Sequence, residues 1–188
     1  MHSGCLSFYD KDVNPSIRLQ WLCRAVQLLA LAGAIGILVA AVWWRLSPEM
    51  SQGWARDFRG AESAPLSERS HRLGLVLTLL PEIVALLALW QLWRLFDEYA
   101  RGRALMPRAQ QLLMRLAVIV LAAALLRPLY RGVLSIAATI DNPAGQRMLM
   151  LDLGTDDFSR VLLGLVLLAI AAVMREAVNA AQENRGFV

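Results

Sequence analysis

The chain alternates long apolar stretches with shorter charged ones, and the length of each apolar stretch decides what it can build. Residues 25–44 (AVQLLALAGAIGILVAAVWW) run twenty positions without a charge. At 1.5 Å per residue, a helix of that length covers the roughly 30 Å hydrocarbon core of a bilayer. The stretch starts too far into the chain and is too long for the apolar region of a secretory signal, and no small-residue cleavage site follows it, so it is expected to stay attached. Residues 73–93 form a second span, interrupted by Pro81 and Glu82 and continued by a polar helical extension through Glu98. A third has a charge-free core of eleven residues, 116–126, and continues through Arg127, Pro128 and Arg131 to about residue 140. The fourth, 161–174, is fourteen residues, a length that also suits a buried helix of a soluble domain. Beside two full spans, the last two read as membrane helices whose terminal arginines snorkel, because a soluble domain would show more amphipathic helices.

The expected fold is therefore all-α: a polytopic membrane protein with four transmembrane helices in a bundle and both termini cytoplasmic. A single domain, 1–188, has spans at about 21–44, 73–96, 112–136 and 160–180, outer loops at 45–72 and 137–159, and an inner loop at 97–111. Pro48, Gly53, Gly60 and Pro65 make the first outer loop irregular apart from a short turn around 54–58. In the second, 146–153 (QRMLMLDL) alternates in part and allows a short strand or hairpin packed on the bundle. Thr155 or Asp156 is the expected N-cap of the last helix, with acids at its positive end, and Gly186 is its natural stop.

Composition agrees with this reading. Of 188 residues, 57% are hydrophobic and 18% charged, whereas soluble domains sit near about 45–50% and about 25%. Two cysteines, Cys5 and Cys23, are too few for a disulfide scaffold or a four-thiolate zinc site. The net charge of +4 would suit nucleic acid if it were gathered on one soluble face. Sorted by side, ten basic residues are inner (Lys11, Arg18, Arg24, Arg94, Arg101, Arg103, Arg108, Arg115, Arg175, Arg185) and seven are outer (Arg45, Arg56, Arg59, Arg69, Arg72, Arg147, Arg160). That bias favours cytoplasmic termini. With the acidic residues included, the inner side carries +4, the outer side −1 and the membrane +1. The excess is a topology signal, and direct nucleic-acid binding is not needed to explain it. Trp43 and Trp44 near one end of the first span, and Trp90 and Trp93 near one end of the second, suit interfacial belts.

Glu82 carries the most chemical information. A carboxylate near mid-span costs roughly 2.5–3.5 kcal/mol on insertion scales unless it meets protein, water or a partner. Arg127 lies at similar depth on the third span, Thr78 shares a helix face with Glu82, and Arg131 shares one with Arg127. This predicts a polar cluster of Thr78, Glu82, Arg127, Tyr130 and Arg131 in the outer half of the bundle. It reads either as a ligand, ion or proton site or as an ion pair that fixes helix register, and the second is favoured. Pro81 and Pro128 free the carbonyls of Leu77 and Ala124 beside these charges. Ala32, Gly36 and Ala40 give the first helix a smooth face, read first as packing within the chain and second as a self-association surface. No catalytic set, cofactor-binding motif or metal site is expected: His2 and His71 fall on opposite sides and lack ligand-spaced partners, and Cys23 reads as a small apolar residue.

Two segments, LWRLFDEYARGRALMPRAQQLLMRLA and MREAVNAAQENRGFV, resemble the small bacterial membrane proteins grouped as domain of unknown function 2975. The resemblance spans roughly 73–188. It departs from the family pattern at Leu105, Met106 and Pro107, where many members have Phe and then Thr or Ser. It implies a four-helix protein of the bacterial inner membrane without an assigned activity. It also implies a small cytoplasmic helix-turn-helix regulator as a candidate partner. The expected function is a non-enzymatic inner-membrane protein, sensing or anchoring, that holds such a partner at Arg94, Arg101, Arg103, Arg108, Arg115, Glu183 and Asn184 while the spans contact the lipid bilayer. The rival reading is a small transporter or ion-conducting homo-oligomer built on Glu82 and Arg127.

Overall fold

The computed structural model describes residues 17–47, 67–140, 149–151 and 154–185, the last five by their backbone alone. Five helices form: α1 (Ile17–Leu46), α2 (Glu68–Leu77), α3 (Leu79–Ala100), α4 (Pro107–Thr139) and α5 (Thr155–Arg185). Four stretches, Ile17–Leu46, Glu68–Ala100, Pro107–Thr139 and Thr155–Ala180, are long and apolar enough to cross a membrane. The fold is all-α, with no strand among the described residues. Residues 149–151 of the expected strand segment are irregular. The rest of that segment, the turn around 54–58 and the stop at Gly186 lie outside the described residues.

The second span is two helices split at Thr78. Pro81 has no N–H for the Leu77 carbonyl, and α2 closes just before it: Thr78 N donates to Gly74 O at 3.0 Å and its Oγ1 to Leu75 O at 2.9 Å. Ser67 caps the other end of α2, its Oγ accepting from Ser70 N at 3.2 Å. Pro128 removes a donor in the same way, yet α4 runs through it as one helix. At the start of α5, the capping expectation shifts by residue. Gly154 O accepts from Asp157 N at 3.0 Å, and Asp157 Oδ2 accepts from Gly154 N at 3.1 Å. Neither Thr155 nor Asp156 is the cap, because both already lie within the first turn. Instead Asp157 reaches back as the acid of a capping box does.

Helix α1 packs on α3, α3 on α4, and α4 on α5, while α2 lies against α4 and α3. Among the described residues, no comparable interface joins α1 to α4 or α5. Between lipid-embedded helices, apolar attraction does not prefer protein over lipid, so small residues that admit close approach decide which faces meet. On α5 the buried positions are Asp157, Gly164, Ala171 and Val178, one every seven residues. This is the seam of a left-handed coiled pair. A Cβ on Gly164 would stand 2.8 Å from Leu121 Cα, so here the two backbones touch. On α1 the corresponding contact is Gly33 against Leu89. The stripe of Ala32, Gly36 and Ala40 does not serve packing within the chain: Ala32 and Ala40 are exposed, and a Cβ on Gly36 would meet nothing within 4 Å. Gly33 and Gly36 stand about 60° apart around the helix, and α1 turns Gly33 rather than Gly36 toward α3.

The bundle thus has two unlike ends. At the hairpin end, residues 101–106 join α3 to α4, and the start of α1 lies close by, with Gln27 Nε2 donating to Trp93 O at 3.5 Å. A core of Leu95, Ala109, Leu112, Leu113, Leu116 and Ala171 lies toward this end. Toward the opposite, cap end, α4 is longer than one hydrocarbon thickness. From Pro107, the twenty positions to Arg127 span about 30 Å, one hydrocarbon thickness. Beyond Arg127 protein covers one side of α4: Gly132, Ser135, Ala137, Ala138 and Thr139 are buried, while Leu129, Val133 and Ile136 stay exposed. Met150 N donates to Ser135 Oγ at 3.0 Å, laying 149–151 across this extension.

Candidate functional site

At the hairpin end, the turn is built first and the charges follow from it. Gly102 has φ 73°, a conformation that a side chain resists. With it in place, Gly102 N donates to Tyr99 O at 3.0 Å and Arg103 N to Glu98 O at 3.0 Å, the two hydrogen bonds of a Schellman stop. Pro107 then opens α4 at its first position, where a missing N–H costs nothing. The departure from the family pattern at Leu105, Met106 and Pro107 therefore leaves a sound helix start. The turn places Glu98, only 4% exposed, below two arginines: Arg108 Nε stands 3.2 Å and Arg103 Nη1 3.8 Å from its carboxylate. Around them opens a cleft of about 660 Å³ lined by Arg94, Glu98, Arg103, Arg108 and Arg115 with Met106, Pro107, Gln111 and Leu112. Arg94 lies over the Trp90 ring at 5.4 Å. Four arginines line the cleft with one carboxylate, and two of them, Arg103 and Arg108, pair with it. Arg101, expected with them, pairs instead with Asp97 at 2.7 Å one turn back. The side chains of Glu183 and Asn184 lie outside the described residues.

At the cap end, the expected cluster divides. Glu82 does not meet Arg127. Its carboxylate takes both Nη atoms of Arg45, at 2.9 and 3.1 Å, and Arg45 Nη1 also donates to Ala41 O at 2.9 Å. Arg45 bends back one turn toward the bilayer to make this two-pronged bond. Arg127 bonds Asp157 Oδ1, and Arg160 stands 3.6 Å from the same oxygen. Equal depth does not imply contact: Glu82 faces α1 and Arg127 faces α5, on opposite sides of the α3–α4 pair. Thr78 is occupied at the helix break. Tyr130, Arg127 and Arg160 line one end of a groove between α3, α4 and α5. Arg131 is half-buried one turn further along α4. Among the described residues, no three His, Cys, Asp or Glu side chains converge as a metal site would need.

Sequence reasoning missed Arg45, Glu98, Asp157 and Arg160. A signal was present for each: Arg45 ends the first span, Glu98 sits four residues before the loop glycine, and Asp157 and Arg160 are three apart in the last helix's first turns. A family model, "Protein of unknown function (DUF2975)", matches residues 18–185. The chain belongs to this family. For this DUF2975 chain, no curated protein and no solved structure gives a match. The DUF2975 match covers both ends of the bundle, the basic cleft as well as the paired cap.

Proposed function

We propose that this multi-pass membrane protein acts without catalysis, holding a small cytoplasmic protein at the membrane through the hairpin-end cleft. The observation that carries this reading is the charge mismatch there: Arg94, Arg103, Arg108 and Arg115 line one cleft around the single carboxylate of Glu98. Guanidiniums at a wet boundary recognise carboxylates in pairs of parallel hydrogen bonds, so the fitting partner presents an acidic segment. The arginine bias among the loops supports a cytoplasmic hairpin end. The helix-turn-helix regulator implied by the family resemblance is the first partner to test. The transport reading loses its motivating pair, since Glu82 and Arg127 are each ion-paired elsewhere.

The test uses the full chain in nanodiscs and a purified candidate regulator. Arg94→Ala with Arg115→Ala should weaken capture about tenfold or more, as expected for loss of charge-assisted bonds, and raised salt should weaken it further. Equal capture by the wild-type and doubly substituted chains would sink the reading.

A further inference from the structure

The groove at the cap end lies on the opposite half of the bundle from the basic cleft and stands independently of any partner there. It has a volume of about 410 Å³. Its walls are Leu80, Pro81, Val84, Ala85 and Ala88 of α3, Ile119, Val120, Ala123, Ala124 and Leu126 of α4, and Leu163 of α5. The space exists because four alanines face it where larger side chains would close it. Among the described residues, the charged ones lining it are Arg127 and Arg160, joined by Tyr130, and all three lie at the cap end.

Length and lining identify the occupant. From Ile119 to Tyr130, eleven helical positions run about 16 Å, half of the roughly 30 Å hydrocarbon core. The groove therefore begins at one bilayer boundary and stops near the midplane, the depth of one lipid leaflet. Apolar walls that end in two guanidiniums match an acyl chain joined to an anionic head group. The mouth supplies the head-group contacts. Arg127 and Arg160 share the carboxylate of Asp157, itself 5% exposed, and Arg160 also stands 3.7 Å from Asp156, while the two arginine side chains remain 35% and 45% exposed. A guanidinium has five N–H donors, and a donor facing lipid without an acceptor is costly.

We propose that this groove binds one phospholipid with a net negative head group, its acyl chain between α3 and α4 and its phosphate at Arg127 and Arg160. A net negative head group is favoured because no ammonium of its own competes with the guanidiniums for the phosphate.

The test is native mass spectrometry of the full chain released from nanodiscs holding equal parts phosphatidylglycerol and phosphatidylcholine. Wild-type protein should retain phosphatidylglycerol about tenfold over phosphatidylcholine, the ratio that one charge-assisted hydrogen bond supplies. Arg160→Gln should bring that ratio toward parity. Ala123→Leu, which fills the groove, should lower retention of both lipids. No head-group preference in the wild type overturns the proposal, as does undiminished retention by Ala123→Leu. A changed oligomeric state in Ala123→Leu with lipid retention intact would assign the groove to a second copy, and overturns it equally. Arg160→Gln alters an exposed side chain, so its ratio remains readable even where Ala123→Leu fails to fold.

Discussion

The two ends of this bundle carry similar residues and use them differently. At the cap end, arginines meet carboxylates nearly one for one: Arg45 with Glu82, and Arg127 and Arg160 with Asp157 and Asp156. At the hairpin end, four arginines line a cleft with one carboxylate, Glu98. The difference follows from where each end sits. Near the hydrocarbon, an unpaired charge costs several kcal/mol, so helices there are held in register by mutual pairing. At a boundary open to water, a surplus guanidinium costs little and stays available. Paired charge at the cap end holds helices together, and unpaired charge at the hairpin end leaves arginines free for a protein partner.

That contrast is broken most severely by removing the carboxylate that two cap-end arginines share. Asp157→Ala should give the largest fall in melting temperature in detergent, because it strands Arg127 and Arg160 and uncaps α5. A melting curve like that of the wild type would mean that the cap end is not held by its charges. Close behind comes Gly164→Leu, where the added side chain meets the Leu121 backbone and should cost about 2–3 kcal/mol. Gly36→Leu is its control and should leave the melting temperature nearly unchanged, since nothing lies within 4 Å. Glu82→Gln, at a pair about a quarter exposed, should cost about 1–2 kcal/mol with no new ion flux in liposomes. A flux change without a stability change would restore the transport reading. Gly102→Ala should cost about 1 kcal/mol by straining the positive φ of the hairpin stop.

Much of this fold was legible in the sequence, and the reason is periodicity along one axis. Charge-free length placed four spans, and Pro81 marked the neighbourhood where the second divides at Thr78. Four of the five arginines proposed for the hairpin end do line one cleft. Depth was readable, but direction around the helix was not. Glu82 and Arg127 lie at comparable depth, yet α3 turns one toward α1 and α4 turns the other toward α5. The same limit hid the choice between Gly33 and Gly36 on α1, because both are small residues in one apolar run and only the neighbour's position separates them. Asp157 looked like a dipole complement and is instead a hub, since a third-position acid can reach the chain entering the helix and a neighbouring helix together.

The smallest expected effect on stability is also the sharpest test. Arg94→Ala with Arg115→Ala, two cleft arginines with no carboxylate partner among the described residues, should shift stability by no more than about 0.5 kcal/mol. The same nanodisc sample then serves for melting and for capture of an acidic cytoplasmic partner. Unchanged melting with capture reduced about tenfold is the predicted result. A melting loss as large as that of Glu82→Gln, or capture equal to the wild type, would contradict the division of the molecule into an end held by its paired charges and an end whose arginines are free for a protein partner.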